Sequence, residues 1–555
     1  MRLMSNATLE EAREAFIRQA WHQAWTTYRA VAEDAQITLD DIERHAIAAH
    51  LVGEDADCRE TLARGYREAL AREDVTRAVR FAFWLGHGMF FTGEMGQASG
   101  WFGRARGLLS ERGVDCVEWG YLLIPTGVEC LMAGDPAGAR DAFVDAQTIG
   151  RRFADSSLVA MAGHGRGRAL IGLGEVAEGI GVLDEVMIAV TTDEVSPMVI
   201  GEIYCGVLEA CRDVYDLRRA REWTAALTRW CDGQPELVPY RGPCLVHRVD
   251  LMRLRGDWDD AIGEAKRACD WLSQPTSPEG PADAFYLLGE LYRLRGDFPA
   301  AEEAYKQASE VGRPPEPGIA LLWLARGQVT SAASAIQRAI DESGSAGPRY
   351  PELLAAQVEV HLRSGDVSAA RTATTELGRL AEAMDAPQLV ALAERAVGNV
   401  LIAEGEPGAA LSPLRRSWGL WRQLDAPYEA AQVRVLIATA CRALGDEQSA
   451  AMELDAARSV FERLGALPDL ARLETESLDS PASLRGGLTA REAEVLRLIA
   501  EGQTNKAIAA TLVISDHTVA RHVQNMLHKL GFSSRASLAA FAVEQGLVRR
   551  ASGQN

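Results

Sequence analysis

The chain contains no apolar run near the ~18 residues that a membrane-spanning helix needs. Its first residues, MRLMSNATLEEAREAF, lack the apolar core of a secretory signal, so a cytoplasmic location without a membrane partner is expected. No Gly-Lys dipeptide occurs anywhere, which excludes the loop whose amides and lysine hold the phosphates of an ATPase substrate. No Cys-x-x-Cys occurs either. Nine cysteines are an odd count, and they lie mostly within helical pattern, as small buried apolar residues do. That suits a reducing compartment better than a disulfide framework. There is no alternating strand and helix pattern with an early acidic pair, and no Ser-His-Asp, metal or dinucleotide fingerprint. His45 and His50 have no ligand-like mates, and Cys205 and Cys211 read as core. The chain is expected to be no enzyme and to need no cofactor.

What is present is mostly helix and repeat. At 555 residues, with 47% hydrophobic and 25% charged side chains, the chain has the composition of a folded protein of several domain equivalents. A glycine recurs at 53, 93, 134, 174, 256, 296, 327, 365, 405 and 445, mostly about 40 residues apart. One wide gap hides a degenerate unit near Tyr215. In the clearest unit Gly296 is followed by Ala301, Tyr305 and Ala308, with Gly289 seven residues before it. The same frame gives Gly86, Gly93, Ala98, Phe102 and Ala105, then Gly127, Gly134, Ala139, Phe143 and Ala146.

The spacing has a physical reading. The central glycine ends one helix in the left-handed region. Asp257, Asp297, Asp366, Asp446 or Pro136 then starts the next. Small residues let the two helices approach, and the large one fills the groove. A single hairpin cannot bury its apolar face, but a stack can. The pattern resembles the tetratricopeptide repeat, with longer units; a generic α-solenoid is the other reading. The array is expected over residues 40–475, as ten or eleven hairpins, behind an N-terminal helical cap at 1–39. Its concave face would bind an unknown small ligand or protein. Three breaks interrupt the period, at 229–248, 274–281 and 312–317. They read as connections or as pocket walls, with Trp230, Tyr240, Arg241 and His247 the residues to follow.

Charge is divided unevenly. The net charge is −20, yet residues 481–555 hold nine Lys/Arg against five Asp/Glu, a net of +4 that leaves −24 on the rest. Only the tail is suited to meet phosphates.

That tail is the most informative stretch. Residues 476–487 read as a Ser/Gly/Pro-rich linker. Thr489 and Glu492 form a capping box for a first helix carrying Val495, Leu496, Leu498 and Ile499, which Gly502 stops. Thr504 caps a second, with Ile508, Ala509 and Leu512 inward. After a turn at Val513-Ile514, Ser515 caps a third that runs to Leu530 and is closed by Gly531. A fourth follows Ser533-Ser534 and ends at Gly546. On the third helix Val519, Val523, Met526, Leu527 and Leu530 share an arc of about 100°. Arg521, Gln524 and His528 centre the opposite arc, with His517 and Asn525 beside them, and His522 borders the apolar side as a packed residue. Arginine pairs with guanine and glutamine with adenine in a major groove. Lys506, Thr518 and Lys529 lie where phosphates are gripped, and Ser515 leaves a helix N-terminus open to an anion.

The ungapped run from Leu488 through Arg535 resembles the LuxR-type helix-turn-helix of LuxR- and NarL-like regulators. The resemblance implies an all-α chain: a tetratricopeptide-like solenoid followed by a four-helix, wingless LuxR-type domain at 481–546, its helix-turn-helix at 505–524, and a tail at 547–555. It implies a DNA-binding set of Asn505, Lys506, Ser515, Thr518, Ala520, Arg521, His522, Gln524, Asn525, His528, Lys529 and Arg535. Ala520 departs from the family, which has Lys or Arg there, so one contact is missing. Leu538, Ala539, Ala542 and Val543 on the fourth helix form a small-residue stripe that suits dimerisation or packing within the module. The whole is similar to MalT-like regulators without their ATPase. The function implied is a transcriptional regulator, an activator, binding double-stranded promoter DNA as a homodimer and contacting RNA polymerase. The alternative is an interaction scaffold whose helix-turn-helix is vestigial.

Overall fold

The computed structural model describes residues 2–31, 37–192, 194–234, 236–273, 281–344, 347, 349–478, 490–512 and 516–544. Among these, every regular element is a helix, from Arg2–Ile17 to Arg535–Glu544. The chain divides into two compact units, Met1–Ile437 and Ala438–Asn555. The division falls inside the helix Pro427–Ala443 rather than at 476–487.

All ten recurring glycines take the left-handed conformation, with φ between +75° and +88°. The degenerate unit keeps the turn without the glycine: Tyr215 sits at φ +58°. The helix that follows starts on an aspartate in several units. Asp297, Asp366 and Asp446 accept a hydrogen bond from the backbone N–H three residues on, as do Asp74, Asp135 and Asp216. Asp257 stands at the same place without that bond. Such a side chain satisfies one of the donors a helix start leaves open.

The interior of each hairpin explains its glycines. A Cβ on Gly86 would lie 2.6 Å from the Phe102 ring, and one on Gly127 2.6 Å from that of Phe143. The same holds for Gly289 against Tyr305 at 2.7 Å, Gly167 against Leu183 at 2.7 Å and Gly398 against Leu414 at 2.4 Å. A glycine within a helix costs roughly 0.5–1 kcal/mol relative to alanine. Here it admits a large side chain that is almost fully buried, with Tyr305 and Phe143 each 1% exposed. Ala301, Ala308, Ala139 and Ala146 flank these rings and are fully buried, which brings the helices close.

Within the first unit the stack closes on itself. Val238 N–H donates to the Leu51 carbonyl at 2.9 Å, joining the first long break to the third helix, Leu39–Leu51. The Trp21 indole donates to Gln234 at 2.8 Å across 213 residues. Arg221 reaches the Leu424 carbonyl across 203 residues, and the Trp258 and Tyr428 rings meet at 5.3 Å. One superhelical turn therefore takes roughly five hairpins, a tight coil that needs a large rotation between successive repeats.

The tight coil encloses space. A cavity of about 850 Å³ is lined mainly by the first helices of successive hairpins, with Asp55, Arg59, Phe143 and Leu272 from second helices. A second, of about 460 Å³, shares Arg212, His247, Asp283 and Arg313 with it. Of the residues singled out in the first break, Tyr240 and His247 line the larger cavity, while Trp230 lies 6.0 Å from the Tyr240 ring. Gly312, Arg313 and Pro314 of the third break line it too. Residues 274–280 of the second lie outside the described residues.

One buried carboxylate anchors the N-terminal hairpin. Asp41 is fully buried and accepts from Arg13 Nε at 2.8 Å and Nη2 at 2.9 Å, and from Thr38 Oγ1 at 2.6 Å. Burial alone would raise its pKa, but Arg13 and Thr38 outweigh this and hold it at about 2, against 3.8 ordinarily. The lowered value makes the pair stabilising above pH 4 and progressively lost as pH falls toward 2, by roughly 2 kcal/mol in all. Asp41→Asn is expected to remove that slope. Denaturant unfolding of both proteins at pH 6, 4 and 3 checks it, and parallel pH dependence of the two would count against the assignment.

Candidate nucleic-acid interface

The C-terminal module begins with Ala490–Ala500, and Gly502 at φ +81° ends that helix as expected. Thr504 then caps Asn505–Leu512, accepting from Ala507 N–H at 3.3 Å. The third helix is Asp516–Leu530, closed by Gly531 at φ +68°. Ser534 caps the fourth, Arg535–Glu544, accepting from Ser537 N–H at 3.2 Å. Thr489, Val513, Ile514, Ser515 and Gly546, and the side chain of His517, lie outside the described residues.

These helices share one small core. Val495, Leu496, Ile508, Val519, Met526, Leu538 and Ala542 are all buried, with Val523, Leu527 and Leu530 packed against them. The apolar arc of the third helix thus faces inward. Its opposite arc is exposed: Ala520, Arg521, Gln524, Asn525 and His528 all face solvent. His522 is half-buried at the border, as its position on the helix predicts. Thr518 is half-buried near the helix start, and Lys506 is exposed on the first turn of the second helix. Arg521 Nη2 comes within 3.5 Å of Gln448, at the outer limit of a hydrogen bond.

Two cations of the expected DNA-binding set are engaged inside the module. Lys529 Nζ donates to Glu492 at 2.8 Å, and Glu492 is only 2% exposed. Arg535 donates to Asn505 Oδ1 and to the Gln503 carbonyl, each at 2.6 Å. Burial lowers the Arg535 pKa. Asn505 and Arg535 therefore tie the start of the second helix to the start of the fourth. The sequence places these residues at helix ends but carries no signal of what lies opposite them. A buried carboxylate draws the nearest ammonium inward because leaving it unpaired is costly.

The dimerisation stripe also divides. Leu538 and Ala542 are fully buried in the module's own core, so they are not a face for a second copy. Ala539 is half-buried and Val543 is 54% exposed. A ten-residue helix has one apolar stripe, and the small core of the module consumes it.

Residues 487–542 match the family described as bacterial regulatory proteins, luxR family. The C-terminal module is a LuxR-family helix-turn-helix. The matched stretch takes in the first three helices of the module, most of the fourth and the whole exposed arc. This LuxR-type module is 52% identical over 60 residues to a transcriptional regulatory protein, YhcZ, of Bacillus subtilis. It is 51% identical over 61 residues to the probable transcriptional regulatory protein NarL of Mycobacterium tuberculosis. Each match covers 11% of this chain and 28% of the regulator, so the chain spans under a third of the length of these relatives. Among solved structures, that of the Cut9–Hcn1 hetero-tetramer aligns over 97% of this chain and 96% of its own, with a TM-score of 0.41 and 14% identity. A tetratricopeptide repeat protein from Parabacteroides merdae aligns over 57% of this chain and 97% of its own, with a TM-score of 0.30 and 15% identity.

Proposed function

We propose that the chain is a transcriptional regulator that binds promoter DNA through the LuxR-family module, with the repeat body as its signal-receiving part. The observation that carries this reading is the exposed arc of Asp516–Leu530. Arg521, Gln524, Asn525 and His528 stand on it together, opposite the buried Val519 and Met526. That is the arrangement a helix needs to enter a major groove with its own core intact. Arg521 and Gln524 have the chemistry to read guanine and adenine edges. Ala520 contributes no charge, so Arg521 carries more of the readout. Lys506 and the helix N-terminus near Thr518 serve the phosphates, and Lys529 and Arg535 chiefly brace the module.

The regulator acts as a dimer on DNA, since two copies are needed to read two half-sites. With Leu538 and Ala542 buried, the dimer contact on the fourth helix runs through Val543 and its exposed neighbours. Activation by contact with RNA polymerase is the sense we favour. The acidic body, at −24, repels phosphates and confines DNA contact to the module.

Lys506 gives a direct test. Lys506→Ala is expected to weaken binding to all duplex sequences alike and to reduce the slope of log affinity against log salt by about 1. Titrations of wild type and variant at several salt concentrations measure that slope, and identical slopes would remove Lys506 from the interface.

A further inference from the structure

The larger cavity of the repeat body holds about 850 Å³. A ten-residue helical peptide occupies roughly 1,200 Å³, taking its diameter as about 10 Å and its rise as 1.5 Å per residue. Small-molecule sites run from about 300 to 1,000 Å³. The contact between Val238 and Leu51 closes the coil beside the cavity, so its size suits a small molecule rather than a helix of a partner.

Its walls are built with care at two points. The helix Pro197–Asp213 carries Gly201 and Gly206 where other residues would close the space. A Cβ on Gly201 would lie 2.2 Å from the Tyr240 ring, and one on Gly206 would lie 2.1 Å from His164 Nε2. Both rings line the cavity, and Tyr240 also meets His50 Nε2 at 3.2 Å. Much of the remaining wall is apolar, including Trp84, Phe91, Ile124, Met161 and Val246.

Some carboxylates on the wall have guanidinium partners and others do not. Arg168 pairs with Glu209 at 2.9 Å, and Asp283 pairs with Arg313 at 2.7 Å and Arg212 at 3.7 Å. Arg59, also on the wall, is taken by Glu94 at 2.8 Å. Glu202 and Asp55 have no guanidinium within ion-pair distance among the described residues. Their nearest basic groups are imidazoles, His87 at 3.3 Å from Glu202 and His50 at 4.0 Å from Asp55. Trp84, His87 and Phe91 stand together on the wall, with ring centroids 5.3 Å and 4.9 Å apart in turn, and the middle ring, His87, is the one that reaches Glu202.

We propose that this cavity binds a small amphipathic amine, its ammonium held by Glu202 beside the Trp84 and Phe91 rings and its apolar body along Ile124, Met161 and Val246. An ammonium answers a carboxylate that faces only imidazoles and is attracted to aromatic faces, whereas a carboxylate ligand would meet Glu202 with like charge. Burial raises the Glu202 carboxyl, but the imidazoles around it, His87 first, outweigh this and bring it below its ordinary value. His50 and His164 are pushed down to about 4 by burial, so near neutral pH they add no positive charge to the site. The regulatory meaning of this ligand rests on the proposed function above; the binding itself does not.

The test uses the full-length protein and three probes of equal length, decylamine and decanoate below their micelle concentrations and decanol below its solubility limit, in isothermal titration calorimetry. Decylamine is expected to bind at one site about tenfold more tightly than decanol, with decanoate weakest. Glu202→Gln is expected to abolish the preference for the amine and leave decanol affinity unchanged. Glu202→Asp, which keeps the charge but shortens its reach, serves if the first variant fails to fold, and is expected to lower amine affinity several-fold. Tighter binding of decanoate, uptake of decylamine at many sites, no binding of any probe, or amine affinity untouched in the variants would each overturn the proposal. Duplex binding is measured separately. Amine binding without duplex binding would defeat the regulatory reading and leave the site standing.

Discussion

Tyr305→Ala is expected to destabilise the repeat body by about 3–5 kcal/mol, the range for a large aromatic truncated inside a packed core. The ring is 1% exposed and lies between two helices that each present a glycine to it, with a Cβ on Gly289 or on Gly318 falling 2.7 Å from a ring carbon. Its hydroxyl donates to Glu290 at 2.5 Å, and Glu290 is held in turn by Arg293 at 2.7 Å. Truncation therefore leaves a cavity between two hairpins and takes one donor from a buried carboxylate. Tyr305→Phe separates the two effects and is expected to cost only about 1–2 kcal/mol. In a linear array each hairpin is held by its neighbours, so the damage should be local. Hydrogen exchange is expected to show Tyr350–Ser364 and the helices beyond it keeping their protection while Ala282–Arg295, Phe298–Glu310 and Gly318–Ala325 lose theirs. A variant within 1 kcal/mol of wild type would mean that the groove tolerates emptiness, and the repeat reading would lose its physical basis.

Arg521→Ala carries the largest expected effect on DNA. A bidentate arginine contributes about 1–3 kcal/mol of discrimination at one base. With alanine already at position 520, no neighbouring cation can substitute for it. The variant is expected to lose roughly five- to 150-fold affinity for its preferred site and to accept other bases at one position. The module should still fold, because Arg521 is exposed and outside the core formed by Val519 and Met526. Competition titrations against duplexes changed one base at a time measure this. Unchanged affinity and unchanged preference at every base would remove the exposed arc as the reading face.

Much of this was legible in the sequence because some positions admit few residues. Only glycine sits cheaply at positive φ, so ten left-handed turns announce themselves. The connections that return from one hairpin to the next were not legible. Glu73, Ala154, Asp385 and Asp425 adopt positive φ without being glycine, at an energetic cost that the surrounding packing holds in place. The closing of the coil was not legible either. The contacts of Val238 with Leu51 and of Arg221 with Leu424 depend on the rotation added at each repeat, which no local pattern encodes. In the C-terminal module the helices and the buried arc followed from periodicity. The pairing of Lys529 with Glu492 and of Arg535 with Asn505 did not, because a charge at a helix end looks the same whether it faces a phosphate or a carboxylate. The fourth helix left two readings open for a related reason. A stripe of small residues reads alike on an interface and in a core, and Leu538 and Ala542 belong to the core.

The most direct test of the central claim is selection from a pool of random duplexes by the purified full-length protein and by residues 481–555, at two salt concentrations. The account predicts that the C-terminal segment enriches a two-fold symmetric motif with guanine within reach of Arg521, and that enrichment weakens steeply as salt rises. Enrichment by the segment but not by the full chain would place control of DNA binding in the repeat body. Failure of both to enrich any sequence, or binding indifferent to salt, would contradict the claim and leave the chain as an interaction scaffold.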